Sequence, residues 1–160
     1  MMDPDSIGPV IAGAGAVVTA IGAGGTGPTT VQADSTGSIV LAMKAQGVRR
    51  LVVVSNRGMT VDEQDNALSR YVAKPILRRV LKHPWADMAE MEEIVRSSNL
   101  DWTITRPPRL TNGPRTDEFR TATGTNLRGG NNISRADLAT LIVACLGDPA
   151  TIGQSIAIGY

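Results

Sequence analysis

The sequence is poor in cysteine, histidine and aromatic residues, and each shortage excludes a class of protein. The single cysteine, Cys145, excludes an intramolecular disulfide. The chain also has only one histidine, so the sequence offers no cluster of Cys and His metal ligands. Cys145 lies in an apolar run, so we expect a buried, unreactive side chain rather than a nucleophile. Only two Trp, two Tyr and one Phe are present, and the small aliphatic residues with 17 glycines favour a helix-covered parallel sheet over a β-sandwich.

The chain also has almost no net charge and no long apolar run. The formal net charge of +1 gives no electrostatic reason to bind nucleic acid or an anionic membrane. No apolar run is long enough to span a membrane and no signal peptide is visible, which predicts a soluble, cytoplasmic protein. With 160 residues, 42% of them apolar, the chain is expected to form a single domain over residues 1–160.

Strand and helix patterns alternate along the chain. Short β-branched runs predict strands over residues 16–21, 50–55, 101–106 and 155–158. Amphipathic segments predict helices over residues 4–12, 29–46, 86–98 and 134–147, whereas residues 56–84 are expected to mix loop with broken helix. This order predicts an α/β fold in which right-handed crossovers build a parallel sheet with helices on both faces.

Two of the predicted strands end abruptly in small, polar or proline residues. Ser55 and Asn56 follow one strand, and Pro107, Pro108 and Arg109 follow another. Ligands of parallel sheets bind just beyond the carboxyl ends of the strands, so we expect these two segments to line one cleft. The proline pair could serve only to end a strand, since proline has no N–H to donate, or it could form a firm wall for a flat ring.

The order of five segments resembles a known family. The runs AGAGAVVTAIG, PTTV, MKAQGVRRLVVVS, MEEIVRSSNLDWTITRPPRL and ISRADLATLIVACL are similar to the atypical short-chain dehydrogenases/reductases, which include flavin/biliverdin-IXβ reductase and the NmrA-like proteins. The resemblance implies a Rossmann-like domain that binds NADP or NAD. It also implies that the residues at the ends of three strands contact the cofactor. These residues are Ile21, Gly22, Ala23, Ser55, Asn56, Pro107, Pro108 and Arg109.

The chain departs from the family at its beginning. Members start with a strand, a Gly-rich turn that holds the pyrophosphate at a helix N-terminus, and a second strand that reads the ribose. This sequence is expected to begin near the end of the third strand, as an N-terminally truncated, partial domain. A gene-model error, a chosen fragment and true degeneration all fit. An alternative is that the literal G-x-G-x-x-G over 22–27 is the phosphate loop itself.

No catalytic residue and no metal ligand is assigned from the sequence. Tyr71 and Lys74 are three apart, whereas the ordinary dehydrogenases place these residue types four apart on one helix. Arg109 stays protonated, so it can bind a carboxylate or phosphate but is a poor proton donor. His83 is expected at the surface, and the basic residues at i, i+4 spacing are expected to form a solvated helix face; these are Arg70, Lys74, Arg78 and Lys82.

Three functions remain open at the sequence level. One is an NAD(P)H-dependent oxidoreductase that reduces small acceptors such as flavins or quinones, and another is a non-catalytic NmrA-like dinucleotide-sensing or interaction module. The third is a fragment that binds no cofactor of its own. If the first strands of the family are missing, strand 16–21 becomes a bare sheet edge, which predicts self-association through that edge. A small-molecule substrate is expected, with neither nucleic acid nor membrane as a partner.

Overall fold

The computed structural model describes residues 3–59 and 79–160 of the chain. In this part the helices are α1 (Pro4–Ile11), α2 (Val31–Gln46), α3 (Lys82–Ser97) and α4 (Arg135–Gly147), with short 3-10 turns at Arg57–Met59 and Pro149–Thr151. The strands are β1 (Ala16–Thr19), β2 (Arg50–Val54), β3 (Asp101–Arg106), β4 (Arg109–Thr111), β5 (Arg120–Thr123), β6 (Asn132–Ser134) and β7 (Gln154–Gly159).

Most of the described strands form one sheet in the order β1-β2-β3-β7-β5. The first four strands are parallel, and β5 pairs antiparallel with β7. The register places Val52 beside Val18 of the edge strand, while Val53 lies beside Ile104 of the next strand inward. Strands β4 and β6 form a separate parallel pair. The predicted α/β fold with a mainly parallel sheet is therefore confirmed.

Helices cover both faces of this sheet because the strands are apolar on both sides. On one face, Leu51, Val53 and Ile104 pack with the apolar residues of α1, α2 and α3. On the other face, Val52 and the two isoleucines of β7 pack against α4. Strands buried on both faces are the signature of a helix-covered parallel sheet.

Local capping decides where the helices begin and end. The side chain of Asp3 accepts the N–H of Asp5 at the start of α1, as the Asp-Pro pair predicts. Gly47 ends α2 with φ of 70°, a left-handed conformation that only glycine adopts freely. Ser134 caps α4 by accepting the N–H of Asp137. The N-terminal boundary of α4 was thus correctly predicted from the Ser-x-x-Asp spacing.

Several predicted boundaries differ from the structure. Strand β1 ends at Thr19 rather than residue 21, and α3 begins at Lys82 rather than residue 86. The segment between β3 and α4 contains the short strands β4, β5 and β6. The sequence did not reveal them because they are only three or four residues long and mostly polar, so they lack a strand pattern. The Tyr71–Lys74 pair, with Arg70 and Arg78, lies outside the described residues.

Two predictions of single residues are confirmed. Cys145 is buried, with 1% of its surface exposed, in the core between α4 and the sheet. His83 is exposed near the start of α3, as is the neighbouring Lys82. Within residues 3–59 and 79–160, no helix has both the length and the apolar character that crossing a membrane requires.

Candidate functional site at the carboxyl edge of the sheet

The ends of β2 and β3 meet at one edge of the sheet. The N–H of Ser55 donates to the carbonyl oxygen of Thr105 at 2.8 Å, and the N–H of Arg57 donates to that of Pro107 at 3.0 Å. The parallel ladder thus continues past the two strands into the segments that follow them. The structure therefore brings Ser55 and Asn56 beside Pro107, as one cleft requires.

Ile21, Gly22 and Ala23 follow β1 at the same edge, because β1 runs parallel to β2 with Thr19 beside Val53. Ile21 packs against the core, whereas Gly22 is exposed. A Cβ atom added to Gly22 would meet no heavy atom within 4 Å, so the surface above this residue is open. The backbone here is accessible to a flat ligand.

Pro108 and Arg109 lead the chain away from the main sheet. Pro107 is buried and Pro108 half-buried, and Arg109 begins β4, which pairs with β6. The Arg109 side chain is exposed and contacts no hydrogen-bond or ion-pair partner among the described residues. A cation at this edge is therefore available to an anionic ligand, although a role in binding remains a prediction.

The side chain of Asn56 shapes the turn after β2. Its Oδ1 accepts the N–H of Gly58, which closes the turn that begins the 3-10 segment. Trp85 covers this turn so closely that a Cβ added to Gly58 would lie 3.1 Å from the indole ring and 2.8 Å from Asn56 Oδ1. Asn56 therefore supports the backbone of the edge.

A buried carboxylate, Glu92 of α3, ties the ends of β2 and β3 together. Its Oε1 accepts from Ser55 Oγ at 2.5 Å and from Arg106 Nε at 3.0 Å. Its Oε2 accepts from Arg106 at 2.6 Å and from Arg96 at 2.8 Å. The Ser55 hydroxyl thus donates into the core, and among the described contacts it offers no proton to a ligand.

Electrostatics keep Glu92 ionised. Burial by itself would raise the pKa of Glu92, but the hydrogen bonds from Arg106 and Ser55, together with the positive charge of Arg106, outweigh it and lower the pKa below the usual value. The bidentate contact with Arg106 is the geometry in which a guanidinium binds a carboxylate most strongly. Glu92 therefore positions the carboxyl edge and is no proton donor at neutral pH.

A second buried carboxylate, Asp137, fixes the segment before β5. It accepts from the N–H groups of Thr116 and Asp117, both at 2.9 Å, and from the Thr116 hydroxyl at 2.8 Å. The hydroxyls of Tyr160 and Ser134 donate to its Oδ2 at 2.6 and 3.0 Å. Burial raises the pKa of Asp137, but these donors bring it well below the usual range.

A third contact joins the turn after β2 to the end of β7. The buried side chain of Arg57 donates to the carbonyl oxygen of Gly130. Gly130 in turn lies against the backbone of Gly159, where a Cβ on Gly159 would come within 2.9 Å of the Gly130 Cα. Neither glycine can accept a side chain without a backbone shift, so the far side of the edge is closely packed.

The N-terminus of α2 bears directly on the G-x-G-x-x-G alternative. Asp87 of α3 is buried, and its carboxylate accepts the N–H groups of Gln32 and Ala33 at 3.1 and 2.9 Å. On either side of these, the N–H of Val31 donates to Thr29 Oγ1 and the N–H of Asp34 donates to the carbonyl oxygen of Thr30. A phosphate loop needs free N–H groups at this position. The structure therefore argues against residues 22–27 as the pyrophosphate loop.

The topology agrees with this conclusion. A dinucleotide phosphate loop follows a strand at the point where the strand order reverses, so that strand has neighbours on both sides. Strand β1 instead lies at the edge of the described sheet, and the later parallel strands β2, β3 and β7 are all added on the same side. The loop after β1 is therefore not at a switch point of this sheet.

The residues that sequence reasoning missed are the buried charges. Glu92, Asp87 and Arg106 were not singled out, although a signal for the two acids was present. Both are carboxylates on the apolar face of α3, spaced with the buried residues Pro84, Met91 and Val95. A charged residue on a buried face indicates a buried partner, but only the structure identifies that partner.

The fold and the strand-end site together define a Rossmann-like α/β domain, and comparison with known proteins names its family. The profile of the NAD(P)H-binding family matches residues 1–149, so the chain belongs to that family. This confirms the resemblance to the atypical short-chain dehydrogenases/reductases and the expectation of NADP or NAD as cofactor.

Solved structures share the fold at low sequence identity. A wide-type short-chain dehydrogenase/reductase from Veillonella parvula DSM 2008, in complex with NADP, superposes with a TM-score of 0.79 at 19% identity. The alignment covers 99% of this chain and 69% of that one. A candidate NADH-flavin reductase from Streptococcus pneumoniae TIGR4 gives a TM-score of 0.69 at 23% identity, covering 99% of this chain and 75% of that one.

The described residues fit one end of an NAD(P)H molecule better than the other. The open surface at Gly22 and the half-buried Pro108 would hold the flat nicotinamide ring, whereas Pro107 is buried beneath the edge. The N–H groups of α2 do not fit the pyrophosphate, because Asp87 already binds two of them and a second anion would be repelled. The edge could thus orient the reactive ring, while α2 contributes no phosphate site.

Proposed function

We propose that this chain is the NAD(P)H-binding part of an oxidoreductase that reduces small acceptors such as flavins or quinones. One observation carries the proposal: Gly22, Ser55, Asn56 and Pro107 lie along one carboxyl edge in a chain of the NAD(P)H-binding family. When bound, the cofactor supplies the hydride. The residues of this chain hold and orient its ring, and the name of the Streptococcus pneumoniae relative supports a flavin as acceptor.

The described edge supplies orientation rather than acid–base chemistry. The Ser55 hydroxyl donates to Glu92, and Glu92 is ionised and paired with Arg106. Hydride transfer to a flavin or quinone needs little help from a protein acid, since the acceptor can take its proton from water. This arrangement also fits a non-catalytic NmrA-like sensing module, which is the second candidate.

A turnover assay separates the candidates. The purified chain is mixed with NADPH or NADH and with FMN, riboflavin or a quinone, and oxidation of the nicotinamide is followed by absorbance. Turnover above the enzyme-free rate supports the reductase. Cofactor binding by calorimetry without turnover supports the sensing module, and absence of binding contradicts both.

A pair of matched variants tests the location of the site. Gly22→Leu should abolish binding and turnover, because the new side chain fills the open surface at the carboxyl edge. Gly15→Leu is the control, since Gly15 is equally exposed and unobstructed but lies just before β1, at the opposite edge of the sheet. Equal effects of the two substitutions would contradict the proposed position.

A further inference from the structure

The two outer strands of the described sheet differ sharply in charge. Strand β1 has no pairing partner on its outer side among the described residues. The sequence contains no Asp, Glu, Lys or Arg between Asp5 and Asp34, so the whole surrounding segment is uncharged. The other outer strand, β5, carries the exposed Arg120 and follows the exposed Glu118. Charged residues on an edge protect it from pairing with another chain, and β1 has none.

The sheet face at β1 is also uncovered. Val18 lies beside Val52 in the ladder and faces the same side of the sheet, yet Val52 is fully buried and Val18 is 44% exposed. The difference arises because α4 packs against residues of β2 and β7, and no residue of β1 belongs to that cluster. The edge therefore combines unpaired backbone groups with the exposed side chain of Val18.

We propose that β1 is an interaction surface for a second copy of this chain, which pairs antiparallel with β1 of the first. Two copies related by a twofold axis would join their sheets through identical edges, and such a contact closes at the dimer. In a twofold contact any charge at the axis would meet its own copy. Of the two outer strands, the uncharged β1 is therefore better suited to self-pairing than β5, which carries Arg120. Pairing of β1 with β5 of another copy would instead bring Arg120 into the contact and leave edges free for further growth.

The proposal is tested by sedimentation equilibrium on the full chain over a wide concentration range, with Val18→Lys and Val143→Lys as matched variants. Both change an exposed valine to lysine, but Val143 lies on α4, away from β1. We expect wild type and Val143→Lys to form dimers with equal dissociation constants. Val18→Lys should weaken the dimer by about tenfold or more, because the twofold axis puts both new lysines on the same face of the joined sheet, where their like charges repel.

Amide hydrogen exchange on the wild type tests the same contact without a substitution. The N–H groups of β1 that point away from β2 should gain protection as the concentration rises through the dissociation constant and lose it on dilution. A monomer at every concentration, or equal effects of the two substitutions, would overturn the proposal. Unlimited growth in mass would show the β1–β5 contact instead. Protection of the outward N–H groups of β1 in the monomer would show that the chain covers its own edge, and either result would overturn the proposal.

Discussion

The contact of Glu92 with Arg106, Ser55 and Arg96 makes a sharp prediction about what holds the carboxyl edge. Glu92→Gln keeps the shape of the side chain but removes its charge and replaces one acceptor oxygen with a donor. If the amide oxygen keeps the Ser55 and Arg106 Nε bonds, the amide nitrogen faces the guanidinium groups that now contact Oε2. Two donors then lose their acceptor, and Arg106 becomes a largely buried cation without a counter-ion.

The size of the effect follows from the exposure of the partners. Removing one member of a buried ion pair typically costs about 3–5 kcal/mol, because the remaining charge is left desolvated. Here the Glu92 side chain is 4% exposed and that of Arg106 is 16% exposed, so water can recover only part of the loss. We therefore expect the free energy of unfolding to fall by about 3 kcal/mol, at the lower end of that range. For a chain of this size, that corresponds to a drop in Tm of about 6–12 °C.

The assay is urea denaturation of wild type, Glu92→Gln and the control Glu93→Gln. Glu93 is the exposed neighbour of Glu92 on α3, so its substitution removes the same charge from the same helix without breaking the cluster. We expect Glu93→Gln to stay within about 0.5 kcal/mol of wild type. The reasoning is refuted if the two variants have the same stability, since the Glu92 ion pair would then contribute nothing.

Acidification gives a second measure of the same contact. The pKa of Glu92 in the folded state is below its ordinary value of 4.5, so ionised Glu92 stabilises the fold above that pH. This stabilisation is lost as the pH falls through the folded-state pKa. The difference in unfolding free energy between wild type and Glu92→Gln should thus be constant near neutrality and narrow below about pH 4.5.

Three further predictions concern the other charged contacts. Asp87→Ala should lower the free energy of unfolding by about 2–4 kcal/mol because it leaves two buried N–H groups at the start of α2 unsatisfied. The comparison is Asp34→Ala, which removes a half-buried carboxylate from the first turn of α2 itself and should cost less than about 1 kcal/mol by urea denaturation. Asp137→Asn should lower Tm at neutral pH because the amide cannot accept from Tyr160 and all the other donors, and the gap to wild type should narrow on acidification, since Asp137 is ionised in the fold well below its ordinary pKa. Arg109→Ala should weaken NADPH binding by more than about 1 kcal/mol in calorimetry and leave unfolding unchanged; unchanged binding would show that Arg109 only faces solvent.

Much of the fold was predictable because the buried strands of the sheet are short runs of β-branched residues that local sequence shows directly. Residues 51–54 are apolar on both faces, and residues 101–106 alternate in a way that a covered parallel strand allows, so both strands were located to within a residue. The helix starts at Asp3 and Ser134 were readable because capping acts through neighbouring residues. Strand β5 was missed because it depends on pairing with β7, more than thirty residues later, and local sequence does not record such pairing.

In the candidate site, too, backbone positions were predictable from the sequence and side-chain contacts were not. The meeting of Ser55 with Pro107 followed from a general property of parallel sheets, so it could be expected without coordinates. The use of the Ser55 hydroxyl by Glu92 could not, because it depends on the rotation of α3 about its axis and on the reach of Arg106 across the strand. The position of a backbone edge is therefore more predictable than the engagement of the side chains that line it.

The buried carboxylates explain how a polar edge can remain open to an anionic ligand. Glu92, Asp87 and Asp137 each carry a negative charge near the ends of the strands or helices, yet each is satisfied internally by guanidinium, hydroxyl or backbone N–H donors. These carboxylates order the segments of the edge, and because they are buried and bonded internally, they repel a ligand on the solvent side less than exposed carboxylates would. The exposed Arg109 has no counter-ion among the described residues, so we predict that it, rather than the buried carboxylates, contacts an anionic ligand. Order and charge at this edge therefore come from different residues, which is why a substitution at Glu92 should change stability while one at Arg109 should change binding.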